Sequence, residues 1–367
     1  MTARELRTDD LAIPLGPDGL TPEWLAAALS GPVPAAVDSV AVTPIGTGQT
    51  GATYRLTVGY AAPCDRPRSF VAKLPAQDGS VRAGVTLGYL AEVEFYSAVA
   101  HRTSVPVPRC HYSAINEDGS EYVLLLDDLD PAIQGDQLAG CDEETARRAV
   151  TALAGLHAPS WCDSSWLELP VGSMPKPGDS AAAGGLGQVV EMVAPAILER
   201  FGPFLDDTDR DTLRLALELM GPWLLTDTGR YALMHGDYRL DNLLLDADRL
   251  FVVDWQTLGV GLPARDLAYF IGTCLDPELR ADAEQRLVAA YHAELLRHGV
   301  PGYDLKTCLA DYRLGMLQGP LIIALGAAFA TTTDRGDDLF RVMLRRSCRA
   351  IRELGTLELI RAAAAPA

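Results

Sequence analysis

The stretch from residue 232 to 254 constrains this chain most. It lies in a region where apolar residues otherwise recur with helical spacing, and it breaks that spacing. It carries two short apolar runs, Leu243–Leu245 and Leu250–Val253, beside a polar loop. Apolar runs this short, bounded by polar residues, read as buried strands rather than helices. The helices on either side must therefore pack around a small strand-loop-strand insert.

Upstream, the pattern is different. Residues 38–75 alternate apolar with small or polar side chains, as in Tyr54, Leu56 and Val58 against Thr53, Arg55 and Thr57, and Phe70–Leu74 continues the series. Period two predicts strands. Residues 121–126 read as a buried strand, and 85–101 as a helix ended by Pro106 and Pro108. A short helix is expected over 21–30, capped by Thr21 with Pro22 in its first turn. Helical spacing marks 142–157, 188–201, 209–225, 266–274, 278–298 and 304–350, while the Pro-, Gly- and Ser-rich residues 163–187 predict an irregular connection. The tail RAAAAPA is expected to fray. Strands come first and helices follow, so a doubly wound α/β sheet is disfavoured.

Composition narrows the class. In 367 residues, 49 acidic side chains oppose 31 basic ones, a net charge of −18 that works against nucleic-acid backbones. The seven cysteines include no C-x-x-C pair, which argues against a disulfide framework or a structural zinc site and for reduced thiols. The polar N-terminal residues lack a signal-like apolar core, and the longest apolar runs, such as Pro320 to Ala330, are shorter than a bilayer requires. A soluble, cytoplasmic chain with no membrane and no nucleic-acid partner is the expectation.

Three features carry chemistry. Gly46-Thr47-Gly48-Gln49-Thr50-Gly51 has G-x-G-x-x-G spacing, but strand-like residues follow it. A dinucleotide fold needs a helix there. Gly46, Gly48 and Gly51 suit a hairpin flap over nucleotide phosphates, or an ordinary glycine hairpin. Lys73, one of only three lysines, lies inside an apolar strand. A buried ammonium needs an anionic partner; Glu92 or Glu94 on the next helix supplies a carboxylate, the alternative being a lysine that snorkels from an edge strand. The third feature is His235-Gly236-Asp237-Tyr238-Arg239-Leu240-Asp241-Asn242, followed by Val252-Val253-Asp254-Trp255-Gln256. Phosphoryl transfer asks for a carboxylate beside the acceptor hydroxyl and for an Asn and a second Asp on magnesium. Asp237, Asn242 and Asp254 meet that request in order. Loop-capping roles, or a metal-dependent hydrolase using His235, Asp237 and Asp254, remain open on these residues alone.

Together these motifs resemble the aminoglycoside phosphotransferase and choline kinase superfamily, the small-molecule kinases of the protein-kinase-like fold. HGDYRLDN (235–242), VVDWQ (252–256), LLLDDL (124–129), EVEFY (92–96) and RDLAYFIGTCLDPELR (265–280) carry the resemblance, which runs from about residue 20 to 350 and is nearest the ecdysteroid-kinase-like group and its bacterial relatives. It implies a two-lobed α+β fold. Residues 1–126 would form a small antiparallel-sheet lobe holding ATP, and residues 127–367 a larger, mostly helical lobe with the catalytic loop and the acceptor site.

Carried over residue by residue, Asp237 is the base, Asn242 and Asp254 hold Mg2+, and His235 orients the loop. Lys73 contacts the phosphates and pairs with Glu92, with Glu94 the fallback. Leu125 and Asp127 lie at the nucleotide hinge, and Asp266 braces the loop. Arg239 suits either a substrate contact or a surface ion pair. Gln256 stands where many antibiotic kinases carry an acid at or near that position, which weakens an antibiotic-resistance reading. Only 12 residues separate Asp254 from Asp266 and no A-P-E follows, so the expected acceptor is a small-molecule alcohol rather than a protein. Few charges in residues 316–330 tilt that expectation toward an apolar alcohol over a polycation. Trp161, Trp166, Trp223, Met316, Phe329 and Phe340 either line an apolar pocket or belong to the core, core being favoured. A pseudokinase or binding module, and a kinase acting on a peptide in natural-product biosynthesis, are the competing functions.

Overall fold

The alternation in the first third of the chain becomes a five-stranded antiparallel sheet in the computed structural model, which describes residues 11–29, 36–46, 50–172, 174–329 and 333–364. The chain divides into two compact units, one drawn from Met1–Arg102, Val107–Pro131 and Asp254–Gln256, the other from Thr103–Pro106, Ala132–Val253 and Thr257–Ala367.

The first unit starts with α1 (Pro22–Ala28), where the Thr21 hydroxyl accepts from Trp24 N at 3.2 Å. Strands β1 (Val37–Pro44), β2 (Gly51–Tyr60) and β3 (Ser69–Pro75) follow. Next come α2 (Gly79–Gly84), α3 (Thr86–Glu94), β4 (Cys110–Ile115) and β5 (Tyr122–Asp127). The sheet order is β1-β2-β3-β5-β4. Its period-two pattern sends Tyr54, Leu56, Val58, Phe70, Ala72, Leu74, Tyr112, Val123 and Leu125 to one face, where they pack with Trp24 and Leu25 of α1. Lys73, between Ala72 and Leu74, must then leave on the opposite face.

The predicted helix over 85–101 is α3 continued by a wider π turn at Phe95–Val99 and a 3-10 turn at Ala100–Arg102. The sequence reading missed β4 and α2. Both are six residues long, too short for periodicity to separate them from loop.

The second unit holds β6 (Ile133–Gln134), α4 (Glu143–His157), α5 (Ser180–Phe201), α6 (Asp207–Glu218), α7 (Met220–Leu224), β7 (Ala232–Met234), β8 (Leu243–Asp246), β9 (Arg249–Val252) and β10 (Gly259–Gly261). Helices α8 (Ala264–Cys274), α9 (Pro277–Arg297), α10 (Leu305–Leu314), α11 (Gln318–Phe329), α12 (Asp334–Glu353) and α13 (Thr356–Ala364) complete it. The insert expected at 232–254 is present: β8 pairs antiparallel with β9 and β6, and β7 pairs with β10. Helix α8 is the centre of this unit, buried at every residue from Asp266 to Cys274.

Several expectations need correction. Residues 163–187 are not irregular throughout, because α5 begins at Ser180, with the Asp179 carboxylate accepting from Ala182 N at 2.9 Å. A capped, alanine-rich turn outweighs its glycines. The helix predicted over 304–350 breaks at a 3-10 turn, Gly315–Leu317, where a Cβ on Gly315 would meet Ala264 O at 2.6 Å. The tail is helical as far as Ala364. Two stretches, Ser180–Phe204 and Leu305–Phe329, are long and apolar enough to cross a membrane by length and composition, contrary to the sequence reading; 22% and 56% of their apolar windows are buried inside the molecule.

Candidate active site

In the first unit the ends of β3, α3 and the Asp254–Gln256 segment bring three charges together. Lys73 Nζ lies 2.5 Å from Glu92 Oε1 and 3.9 Å from Asp254 Oδ1. The Glu92 side chain is fully buried, and Trp255 N donates to the same Oε1 at 3.4 Å. Burial works to lower the Lys73 pKa, but the Glu92 and Asp254 carboxylates outweigh it and the net shift is upward, so the ammonium keeps its charge. Asp254 is 42% exposed and is one of three non-glycine residues with positive φ among the described residues, at +67°. Strain of this kind persists only where neighbours impose it. Here Trp255, fully buried, stacks on Phe95 at 3.5 Å between ring centroids and pins the turn.

The residues expected at the hinge lie on β5, beside β3, where Leu125 pairs with Ala72 and Asp127 with Phe70. Leu125 sits within β5, its side chain in the core, and Asp127 ends the strand with Oδ1 2.6 Å from His111 Nε2. The next residue, Asp128, accepts from Ser69 Oγ and from Arg55 Nη2 at 3.1 Å, in an ion pair whose Nε–Oδ2 distance is 2.7 Å. Gly46 has φ +75°, a left-handed turn that glycine adopts without strain, and Gly51 opens β2. Gly48 lies outside the described residues.

In the second unit the loop after β7 is held from beneath. His235 N donates to Asp266 Oδ2 at 2.6 Å and Gly236 N to Asp266 Oδ1 at 2.9 Å. Asp266 is fully buried on α8, with His157 Nε2 3.4 Å away. Gly236 has φ +84°, and a Cβ there would meet Thr257 O at 2.5 Å, so only glycine fits. Asp237 N donates to His235 Nδ1 at 3.3 Å, which leaves the proton on Nε2, 3.0 Å from Val253 O. His235 thereby ties the loop to the end of β9. Val253 N also donates to Asn242 O at 3.0 Å, immediately before Asp254 in the chain.

The Asp237 carboxylate is gripped on both oxygens. Arg239 Nε and Asn242 Nδ2 donate to Oδ2, each at 3.1 Å, and the Tyr269 hydroxyl donates to Oδ1 at 2.7 Å. Arg239 Nη1 also lies 3.4 Å from Asp241 Oδ2, so this guanidinium sits between two carboxylates of its own loop. Burial, and then the Asp237 charge, push the Tyr269 phenol far above its ordinary pKa and keep it a donor. Tyr269 was missed in the sequence, although it lies one turn beyond Asp266 on the same helix face, a signal that was available. Gln137 was missed with no such signal: its Oε1 accepts from Leu240 N at 3.0 Å across 103 positions of sequence. The apolar residues do not form one pocket, since Trp166 and Met316 are core and Phe329 is 70% exposed.

A metal needs hard oxygen donors. Asn242 has its Nδ2 committed to Asp237, which leaves Oδ1 available, and Asp254 keeps an exposed carboxylate. Each residue by itself offers the kind of oxygen that magnesium takes.

Residues 41–305 match the model of the phosphotransferase enzyme family. No curated protein matches the chain. Among solved structures, one from Ralstonia eutropha JMP134, described as a putative aminoglycoside phosphotransferase, aligns over 90% of this chain and 97% of its own at 16% identity and TM-score 0.52. A choline/ethanolamine kinase family protein from Mesorhizobium loti aligns over 88% and 92% at 16% identity and TM-score 0.50. The GDP and kanamycin complex of the aminoglycoside phosphotransferase APH(2")-IIIa aligns over 88% and 94% at 18% identity and TM-score 0.50. At these identities the structures establish the two-lobed α+β kinase-like fold. The family match covers well over half of the sequence, and the chain belongs to the phosphotransferase enzyme family.

Proposed function

We propose that this protein transfers the γ-phosphate of ATP to a hydroxyl of a small molecule. The observation that carries the reading is the Asp237 carboxylate, held by three donors on a loop that Asp266 braces. A base in phosphoryl transfer must be fixed in orientation and still reach solvent, and Asp237 is 21% exposed. In this reading Asp237 orients the acceptor hydroxyl and takes its proton. The acceptor oxygen bonds to the γ-phosphorus, the bond from that phosphorus to the β–γ bridging oxygen breaks, and ADP leaves with the electron pair.

Lys73, kept cationic and aligned by Glu92, contacts the nucleotide phosphates. Asn242 and Asp254 would hold magnesium, which neutralises phosphate charge when bound. Gln256, in place of an acid, supports placement near the ecdysteroid-kinase-like group. The short interval from Asp254 to Asp266 supports a small acceptor over a protein.

The test is Asp237→Ala. Transfer is expected to fall by at least ~10²-fold, in the range for general-base loss. The Mg-ATP dissociation constant, measured calorimetrically, is expected to stay within about threefold. A large loss of nucleotide affinity in this variant overturns the role given to Asp237.

A further inference from the structure

Beside the start of α8 lies a cavity of about 250 Å3, walled by Lys176, Trp223, Leu225, Arg230, Leu262 and Arg265 among others. We propose that it is the acceptor-recognition pocket and takes a small molecule with a carboxylate on an apolar body. This deepens the phosphotransferase reading and rests on it.

The argument is one of unmatched charge. Arg230 is neutralised, its Nε and Nη2 each 2.6 Å from the two oxygens of Asp311. Arg265 is not. Its Nε donates to Gln318 Oε1 at 2.8 Å and its guanidinium lies 4.5 Å over the Trp223 ring, but Nη2 is buried with no partner. Among the described residues Arg265 makes no salt bridge. Burial pulls its pKa down to about 10, the direction expected of a cation short of counter-charge.

Lys176 donates to the carbonyls of Leu167 and Leu169, at 2.6 Å each, and among the described residues meets no carboxylate either. Two acids also line the wall and keep their charge, but Asp179 caps α5, Asp227 accepts from Gly229 N at 2.7 Å, and among the described residues neither pairs with Lys176 or Arg265. The cavity thus holds two cations that have no carboxylate partner among the described residues. A buried guanidinium is stabilised by a carboxylate that its planar fork can grip. Trp223, Leu225 and Leu262 supply the apolar lining.

The cavity is wired to the reaction. Gln318, which accepts from Arg265, donates through Nε2 to Gly236 O at 2.8 Å, one residue before Asp237. A carboxylate on Arg265 would thus be read one side chain away from the candidate base.

The full-length protein is titrated calorimetrically with 3-phenylpropionate and with phenethylamine, and separately with Mg-ATP. The acid is expected to bind at least tenfold tighter than the amine. Arg265→Gln is expected to weaken the acid at least tenfold. Lys176→Gln, which leaves the Gln318 contact intact, should weaken it severalfold. ADP release from Mg-ATP should rise with 3-(4-hydroxyphenyl)propionate and not with tyramine.

Equal or tighter binding of the amine to the wild type, or ADP release driven by tyramine, overturns the proposal without any variant having to fold. If Mg-ATP binds and the acid does not, the pocket assignment alone fails. If the acid binds and Mg-ATP does not, the phosphotransferase reading fails and the acceptor role goes with it.

Discussion

At the scale of single residues, position in a strand matters as much as identity. Period two places Lys73 opposite the core face, and half-buried there it is tolerated because Glu92 and Asp254 supply charge. Glu92→Gln is therefore expected to lower kcat on the order of 10²-fold, the scale for losing one preorganised electrostatic group. Glu94→Gln should stay near wild type. Steady-state kinetics of both variants check the pairing, and the reverse order would show that the other carboxylate serves Lys73 in turnover.

Asp128 gives a pH dependence of known sign. Burial raises its pKa, but hydrogen bonds from Ser69 and Arg55 outweigh this and the net shift is downward. A carboxyl depressed on folding contributes stability above its unfolded pKa of about 3.9, and that stability is lost as pH falls through the lower folded value. Acid titration of unfolding should show wild type losing stability below about pH 4 more steeply than Asp128→Asn.

At the scale of elements, α8 is the brace of the loop after β7. Its Asp266 satisfies two buried backbone N–H groups at the turn after β7. Asp266→Ala leaves both unpaired, at about 1–3 kcal/mol each. Urea unfolding should register a loss of about 2–5 kcal/mol for Asp266→Ala, and a smaller loss for Asp266→Asn, which keeps one acceptor oxygen. A neutral outcome for Asp266→Ala would mean that the loop is held elsewhere. The same helix carries Arg265 and Tyr269, so one buried element presents a brace, a charge and a donor to the residues around Asp237.

At the scale of the whole molecule, nucleotide binding should appear as stability. Mg-ATP at about 100 times its dissociation constant adds ~2.7 kcal/mol, a rise of a few degrees in Tm for a chain of this size. Calorimetric melting of wild type should show that rise and Asp254→Ala should show less of it, because Asp254 is a candidate metal ligand; an undiminished rise would remove Asp254 from that role.

How much was legible beforehand divides along physical lines. The strand-rich first third, the helical remainder and the strand-loop-strand insert could be read because burial imprints period two or 3.6 on a chain. His235, Asp237, Asn242 and Asp254 could be read because their spacing is local: one loop and one strand set it. Short elements such as β4 left no periodic trace, and the cap at Asp179 was hidden by the glycines around it. Glu92 was already the expected partner of Lys73, whereas the contacts of Gln137 and Gln318 depend on segments distant in sequence. Packing decides those contacts, and no spacing within a single segment encodes which side chains it brings together.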